Sequence, residues 1–113
     1  MSLIKNLLIE AQEVTLQPIH PTQCIGTSKK LQFNHTFQQL VDRIGQPILH
    51  PSGSDIKVEW CFKATCGDGS DFIVSIYNDP HYYDHIQPHE MENWCIGCDT
   101  KYHATIILMY LGR

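Results

Sequence analysis

The sequence has few basic residues. Its 113 residues include eight Lys and Arg against twelve Asp and Glu, which gives a formal net charge of −4. Lys29 and Lys30 form the only adjacent basic pair. Because nucleic-acid binding needs a basic surface that displaces counterions from phosphates, this balance argues against a general nucleic-acid-binding protein.

The sequence also lacks an apolar run long enough to span a bilayer. Its first residues, MSLIKNLLIEAQE, have neither the continuous apolar stretch nor the cleavage site of a signal peptide. The five cysteines are an odd number, which favours reduced thiols over a disulfide framework. We therefore expect a cytoplasmic protein that does not associate with membranes, folded as a single domain over residues 1–113.

Helical periodicity is present in three places. Apolar residues at helical spacing predict an N-terminal helix near 2–12. A second apolar stripe predicts a helix near 36–44, with Thr36 and Gln39 as a capping box and Gly45 at its end. A third helix is expected near 100–111. Its last eight residues are almost all apolar and include β-branched residues, so a buried strand is the alternative there.

Strand periodicity is clearest in the middle of the chain. Apolar and polar residues alternate over 56–66 and again over 71–77, and the intervening Asp68-Gly69 suits a tight turn. A short strand is expected near 94–97, whereas HPTQCIGTSKK, residues 20–30, is typical of a loop because of its proline and polar residues. The sequence thus predicts an α+β fold with a small antiparallel sheet.

An ordered set of short motifs resembles a group of small phage and large-DNA-virus accessory proteins. The motifs span 36–111 and are Gly45-Gln-Pro47, Glu59-Trp60, Asp68-Gly69, Ile76-Tyr77 and Trp94-Cys-Ile-Gly97. The resemblance implies a compact α+β protein that counters a host defence by binding a host protein or a small signalling nucleotide. Cys98 departs from the pattern, since a glycine is expected at that position.

The segment 81–103 concentrates metal-ligand residue types. Cys95 and Cys98 have the spacing of half a zinc site, and two histidines could complete the four ligands that zinc takes. The sequence therefore allows a small zinc-stabilised module with ligands His89, Cys95, Cys98 and His103. Because strand residues three apart point to opposite faces unless a turn intervenes, the alternative is that both cysteines pack near the end of the sheet and the protein needs no cofactor.

Cysteine-dependent catalysis is a further alternative. It would need a thiolate beside a base, and Cys61, Cys66 or Cys98 with a histidine are the candidates. The sequence shows no residue that would orient such a pair. We therefore expect a protein that is not an enzyme.

A contact surface is expected between Asp79 and Glu92 and at its flanks. This stretch is acidic and contains no Lys or Arg, and aromatic residues flank it. Aromatic side chains carry much of the binding energy of protein interfaces. The candidate binding residues are Tyr77, Tyr82, Tyr83, Asp84, His85, Glu90 and Trp94. Binding of a nucleotide would instead need Arg43, Lys57 and Lys63 in one pocket.

The two ends of the chain carry apolar stripes that need cover. The run 104–111 is apolar on nearly every side, and the N-terminal helix adds a second stripe. We expect these segments to form the interface of a homodimer, because a large exposed apolar patch is unusual on a monomer. Packing of the two segments within one chain is the alternative.

Overall fold

The computed structural model describes residues 3–24, 27–50, 55–79 and 87–112. Within them, three helices pack on one face of a six-stranded antiparallel sheet. The helices are α1 (Leu3–Glu13), α2 (Phe37–Ile44) and α3 (Lys101–Leu111). The strands are β1 (Thr15–Pro18), β2 (Ser28–Asn34), β3 (Ile48–Leu49), β4 (Val58–Thr65), β5 (Asp71–Asn78) and β6 (Asn93–Cys98). The α+β prediction is confirmed.

The sheet has the strand order β1-β4-β5-β6-β2, and β3 pairs with β4 beside β1. The predicted hairpin is present as β4 and β5, with the register Phe62 opposite Val74. The turn between them contains Gly69 at φ +89°, a conformation that glycine adopts without strain. Asp68 accepts hydrogen bonds from the Ser70 backbone N–H and hydroxyl, which closes this turn.

The helix predictions for 36–44 and 100–111 are confirmed. Thr36 and Gln39 form the predicted capping box, each side chain accepting from the other residue's backbone N–H. Thr100 caps α3 by accepting from the His103 backbone N–H, so 104–111 is helical and the strand alternative is wrong. The helix predicted near 2–12 is α1.

The longest strand that the sequence did not predict is β2. Residues 28–34 were expected to begin within a loop, but they form β2, which pairs antiparallel with β6 at the sheet edge. A register shift between Lys29 and Leu31 interrupts the pairing. β2 begins with Ser28, Lys29 and Lys30, so apolar and polar residues do not alternate along its first half. Its partner strand, β6, lies more than fifty residues later in the chain. Sequence periodicity therefore gave no signal for it.

The hydrophobic core lies between the sheet and the helices. The fully buried members of the core include Trp60, Trp94, Leu40, Ile76 and Ile106. Trp60 and Trp94 meet edge to face with ring centroids 5.4 Å apart. Each indole N–H donates to a backbone carbonyl oxygen, Trp60 to Gly45 and Trp94 to His35, at 2.8 Å in both cases.

The terminal helices are in contact with each other within one chain. α3 packs against α1 as well as against β2 and β6. Ile106 and Ile107 are both fully buried because the helix is covered on two sides. The helices at the two ends of the chain, α1 and α3, thus pack against each other within one protomer. The homodimer stays a prediction. No helix within the described residues is long and apolar enough to cross a membrane.

Candidate functional site

The sequence-predicted contact residues do not form one surface in the described part of the chain. Tyr82, Tyr83, Asp84 and His85 lie outside the described residues. Glu90 is exposed on a short 3-10 turn, Pro88–Glu90, beside His89. Tyr77 is half-buried on β5.

Trp94 requires a correction. It was expected at a surface, but it is completely buried against Trp60 in the core. The pairing of β6 between β5 and β2 turns Trp94 and Ile96 to the helices and Cys95 to the opposite side. Trp94 therefore stabilises the fold and is not available to a partner.

The four sequence-predicted zinc ligands are not brought together. Cys98 belongs to the core face of β6, whereas Cys95 lies on the opposite face beside Gln32 and Tyr77. His89 is exposed, with its imidazole 3.8 Å from the Glu90 carboxylate. His103 alone remains near Cys98. The strand alternation at β6 separates the two cysteines, and Gly97 makes no turn within it.

The face of the sheet opposite the helices is polar near its centre. We call it the outer face. It is defined by four residues that lie side by side on four neighbouring strands, which we call the row, and by the residues next to them. The row is Glu59, Tyr77, Cys95 and Gln32, and the neighbouring residues are Cys61, Ser75 and Gly97. Cys61, Ser75 and Cys95 are buried although none of them belongs to the core cluster. Cys61 occupies a polar position in the alternation over 56–66, where solvent exposure is expected, but Cys24, which follows β1, contacts it.

Residues 21–24 and 27–28 lie over part of the outer face and leave a concavity beside it. Cys24 donates from Sγ to the Val74 carbonyl oxygen at 3.9 Å, and the Thr27 hydroxyl donates to the Cys24 carbonyl oxygen at 3.2 Å. The concavity has a volume of about 220 Å³. Its sheet side is lined by Ile56, Glu59, Ser75, Tyr77 and Gly97.

Gly97 leaves the floor of this concavity open. A Cβ atom at this position would lie 2.6 Å from Ser75 Oγ and 3.4 Å from Tyr77 Cε1. The missing side chain therefore exposes the two hydroxyl-bearing residues of β5 to the concavity. The sequence gave no sign of this role, because a glycine within a strand is explained equally well by a bulge or a bend.

The polar side chains that line the concavity are the Glu59 carboxylate, the Cys24 thiol and the hydroxyls of Thr27, Ser28, Ser75 and Tyr77. Glu59 Oε1 lies 2.9 Å from Nε2 of His50, and the Glu59 side chain is 15% exposed. Neither the Ser75 nor the Tyr77 hydroxyl forms a hydrogen bond with another of the described residues. Burial, and then the nearby Cys95, Asp79 and Glu59, raise the pKa of Tyr77 to about 12. Tyr77 therefore stays protonated and can donate or accept.

No Lys or Arg is among the described residues that line the concavity, but Lys30 donates from Nζ to the hydroxyl of Ser28 at its rim. Arg43 lies on the helical side of the sheet. Its Nε donates to the Tyr110 carbonyl oxygen at 3.1 Å, and its guanidinium carbon lies 4.3 Å from the centroid of the Tyr110 ring. Lys63 pairs with Asp71 at 3.3 Å. Of the candidate phosphate-binding residues, neither these two nor Lys57 lines the concavity.

The cysteines do not resemble catalytic thiols. Burial raises the pKa of Cys98 to about 12, with a contribution from its hydrogen bond to Asp99. Burial is also the largest cause of the raised pKa of Cys24, Cys61, Cys66 and Cys95. A nucleophilic cysteine needs the opposite shift, which stabilises the thiolate.

Alkylation measures this directly. In the folded protein at neutral pH, we expect all five cysteines to react with iodoacetamide at least about tenfold more slowly than an unstructured thiol peptide. A pKa raised by one unit alone lowers the thiolate fraction by that factor. Intact-mass spectrometry over time gives the rates. The same protein in guanidinium chloride should take up five labels rapidly, and one fast site in the folded protein would contradict the expectation.

A separate cluster of metal-ligand atoms lies at the junction of β6 and α3. Asp99 Oδ1 accepts from Cys98 Sγ at 3.4 Å and lies 2.7 Å from His103 Nδ1. The His103 ring stacks on Phe72, with centroids 4.1 Å apart and planes 2° from parallel. Partial burial raises the pKa of Asp99, but hydrogen bonds from His103 and Cys98 outweigh it and lower that pKa overall. The carboxyl group is therefore ionised at neutral pH.

Comparison of this chain with family models, with curated proteins and with solved structures finds no match in any of the three.

Proposed function

We propose that the protein is a non-enzymatic binding protein, and that its concavity on the outer face takes a small ligand carrying a protonated amine or guanidinium group. The supporting observation is the set of groups that line it. The hydroxyls of Ser75 and Tyr77, which have no hydrogen-bond partner among the described residues, line the same hollow as the Glu59 carboxylate, and its described lining includes no Lys or Arg.

The charge of the site favours a cation. A carboxylate and two hydroxyl oxygens can accept the three hydrogen bonds that an ammonium group donates. Asp79, which also raises the pKa of Tyr77, adds to the negative potential. Hydrogen bonds to a charged group contribute about 1.5–3 kcal/mol each, more than those between neutral partners.

The size of the site favours a small ligand. Pockets for drug-sized molecules are about 300–1,000 Å³. The concavity is about 220 Å³, which suits a short alkyl amine or a single basic side chain. The absence of basic residues from its described lining gives no support to a phosphate-bearing nucleotide. The wider role predicted from the resemblance, an accessory protein that counters a host defence, stays a prediction.

Calorimetric titration tests the proposal. The panel contains short alkyl amines, guanidines, their uncharged amide analogues, cyclic nucleotides and Lys- or Arg-containing peptides. We expect saturable binding of the amines or guanidines, and no binding of the amides or nucleotides. Free amines and basic peptides distinguish a small-molecule ligand from a side chain of a protein partner.

A matched pair of variants locates the site. Glu59→Gln should weaken amine binding about tenfold to 100-fold, because it removes the charge from the acceptor. Glu90→Gln makes the same chemical change on the exposed 3-10 turn and should leave the affinity unchanged. If Glu90→Gln weakens binding and Glu59→Gln does not, the acidic segment predicted from sequence is the site and the concavity is not.

A further inference from the structure

We infer that Cys98, Asp99 and His103 form a three-ligand site for a divalent transition-metal cation of the zinc type. The three side chains each offer one ligand atom, and these atoms all lie within 4.8 Å of one another. Among the described residues, this is the only His, Cys, Asp and Glu group of three or more that meets this distance. The inference concerns the opposite side of the sheet from the concavity.

The chemistry of the three ligands matches zinc. Zinc binds thiolate sulfur, imidazole nitrogen and carboxylate oxygen, and sites with three protein ligands leave a fourth position for water. Hard cations such as magnesium and calcium prefer oxygen ligands alone, so the thiol and imidazole argue against them. The cysteine–histidine pair was part of the sequence prediction. The carboxylate of Asp99 was not, because a residue adjacent to a cysteine gives no spacing signal.

The two distances from Asp99 Oδ1 to the other ligand atoms need little adjustment. Tetrahedral zinc with bonds of about 2.0–2.3 Å separates its ligand atoms by about 3.3–3.6 Å. Cys98 Sγ and Asp99 Oδ1 are already 3.4 Å apart, whereas Asp99 Oδ1 and His103 Nδ1 are 2.7 Å apart. That second pair must open by about 0.6 Å to reach the tetrahedral spacing. The Asp99 side chain is 51% exposed, so it can rotate outwards to do so.

The surrounding structure holds the ligands in place. Cys98 is the last residue of β6 and is fully buried, and His103 lies in the first turn of α3. Stacking on Phe72 fixes the plane of the His103 ring. The exposed edge of Asp99 leaves the fourth position to solvent, which also gives the ion a path of entry.

Metal binding releases one proton. The cation replaces the hydrogen on Cys98 Sγ, which goes to solvent, and a sulfur–metal bond forms. Asp99 is already ionised and exchanges its hydrogen bonds with Cys98 and His103 for a bond to the metal, whereas the Thr100 backbone N–H can still donate to its carboxylate. His103 Nδ1 donates to Asp99 before the metal binds; to coordinate, it gives this proton to solvent while Nε2 takes one up, so the imidazole stays neutral and the net release remains one proton. No electron is transferred.

Cobalt(II) titration of untagged, chelator-treated protein tests the site. We expect one equivalent to bind, with the visible bands of tetrahedral cobalt and a thiolate-to-cobalt charge-transfer band, both abolished by added Zn²⁺. Cys98→Ser should remove the charge-transfer band. Asp99→Asn should weaken binding at least about 100-fold, the upper end of the loss seen when only a supporting residue is removed.

Cys95→Ser is the matched control. Cys95 lies on the same strand and is equally buried, but it faces the other side of the sheet. This variant should keep the full cobalt spectrum. Circular dichroism confirms the fold of each variant, and the exposed Asp99→Asn provides an answer even if Cys98→Ser unfolds. Absence of a saturable cobalt spectrum, or its loss in Cys95→Ser alone, would overturn the inference. Amine binding at the concavity is independent of both outcomes.

Discussion

Replacing Trp94 with alanine is expected to lower the free energy of unfolding by about 3–5 kcal/mol, the usual cost of removing a large aromatic side chain from a core. Trp94 is completely buried, packs 5.4 Å from Trp60 and donates its indole N–H to the His35 carbonyl oxygen. The substitution removes the ring contacts, leaves a cavity and leaves that carbonyl without its donor. Urea unfolding followed by circular dichroism measures the change.

Two controls separate the contributions of Trp94. Trp94→Phe keeps an aromatic ring but loses the indole donor and should cost about 1–2 kcal/mol. Tyr102→Ala removes an aromatic residue that is 39% exposed and should change stability by no more than about 0.5 kcal/mol. If Trp94→Ala were as stable as Tyr102→Ala, Trp94 would be a surface residue, as the sequence had indicated.

Replacing Asn78 with alanine is expected to cost about 2–4 kcal/mol. Asn78 is completely buried at the end of β5. Its Oδ1 accepts from the backbone N–H groups of Lys57 at 2.7 Å and Val58 at 3.0 Å, and its Nδ2 donates to the Asp55 carbonyl oxygen at 3.2 Å. The side chain thus pairs backbone groups at the start of β4. Leaving a buried polar group without a partner costs about 1–3 kcal/mol.

Asn34→Ala is the matched control for this prediction. Asn34 ends β2 and is exposed, so its truncation should change the free energy of unfolding by no more than about 0.5 kcal/mol. Hydrogen exchange adds a local readout. In Asn78→Ala, the amide of Val58 should lose protection more than the amides at the centre of β4. Equal stability of the two variants would show that the Asn78 hydrogen bonds contribute little.

Local patterns predicted the elements whose signal lies within one segment. The capping box of Thr36 and Gln39 fixed the start of α2, and alternation predicted β4 and β5. The face of β6 could not be predicted in this way. Trp94, Ile96 and Cys98 share one side of this strand and Asn93, Cys95 and Gly97 the other, and Asn93 is its only polar residue, so the alternation is weak.

The candidate sites depend on contacts between distant segments. Pro21, Cys24, Thr27 and Ser28 lie beside Glu59, Ser75 and Gly97 although they are distant from them in the sequence. The sequence did not predict that Tyr77 pairs with both Glu59 and Cys95, because these three residues belong to three separate strands. For Cys98 and His103 the sequence gave the residue types. Only the structure showed that Asp99, and not Cys95, completes the group.

The most direct test of the proposed binding role is a nuclear magnetic resonance titration of ¹⁵N-labelled protein with the amine or guanidine that binds tightest in the panel. Saturable shifts should concentrate on the amides of Ser75, Tyr77 and Gly97, because these residues line the concavity. The same titration of Glu59→Gln should need about tenfold more ligand to reach half-saturation. Shifts concentrated at Glu90 and Glu92, or none that saturate, would contradict the account.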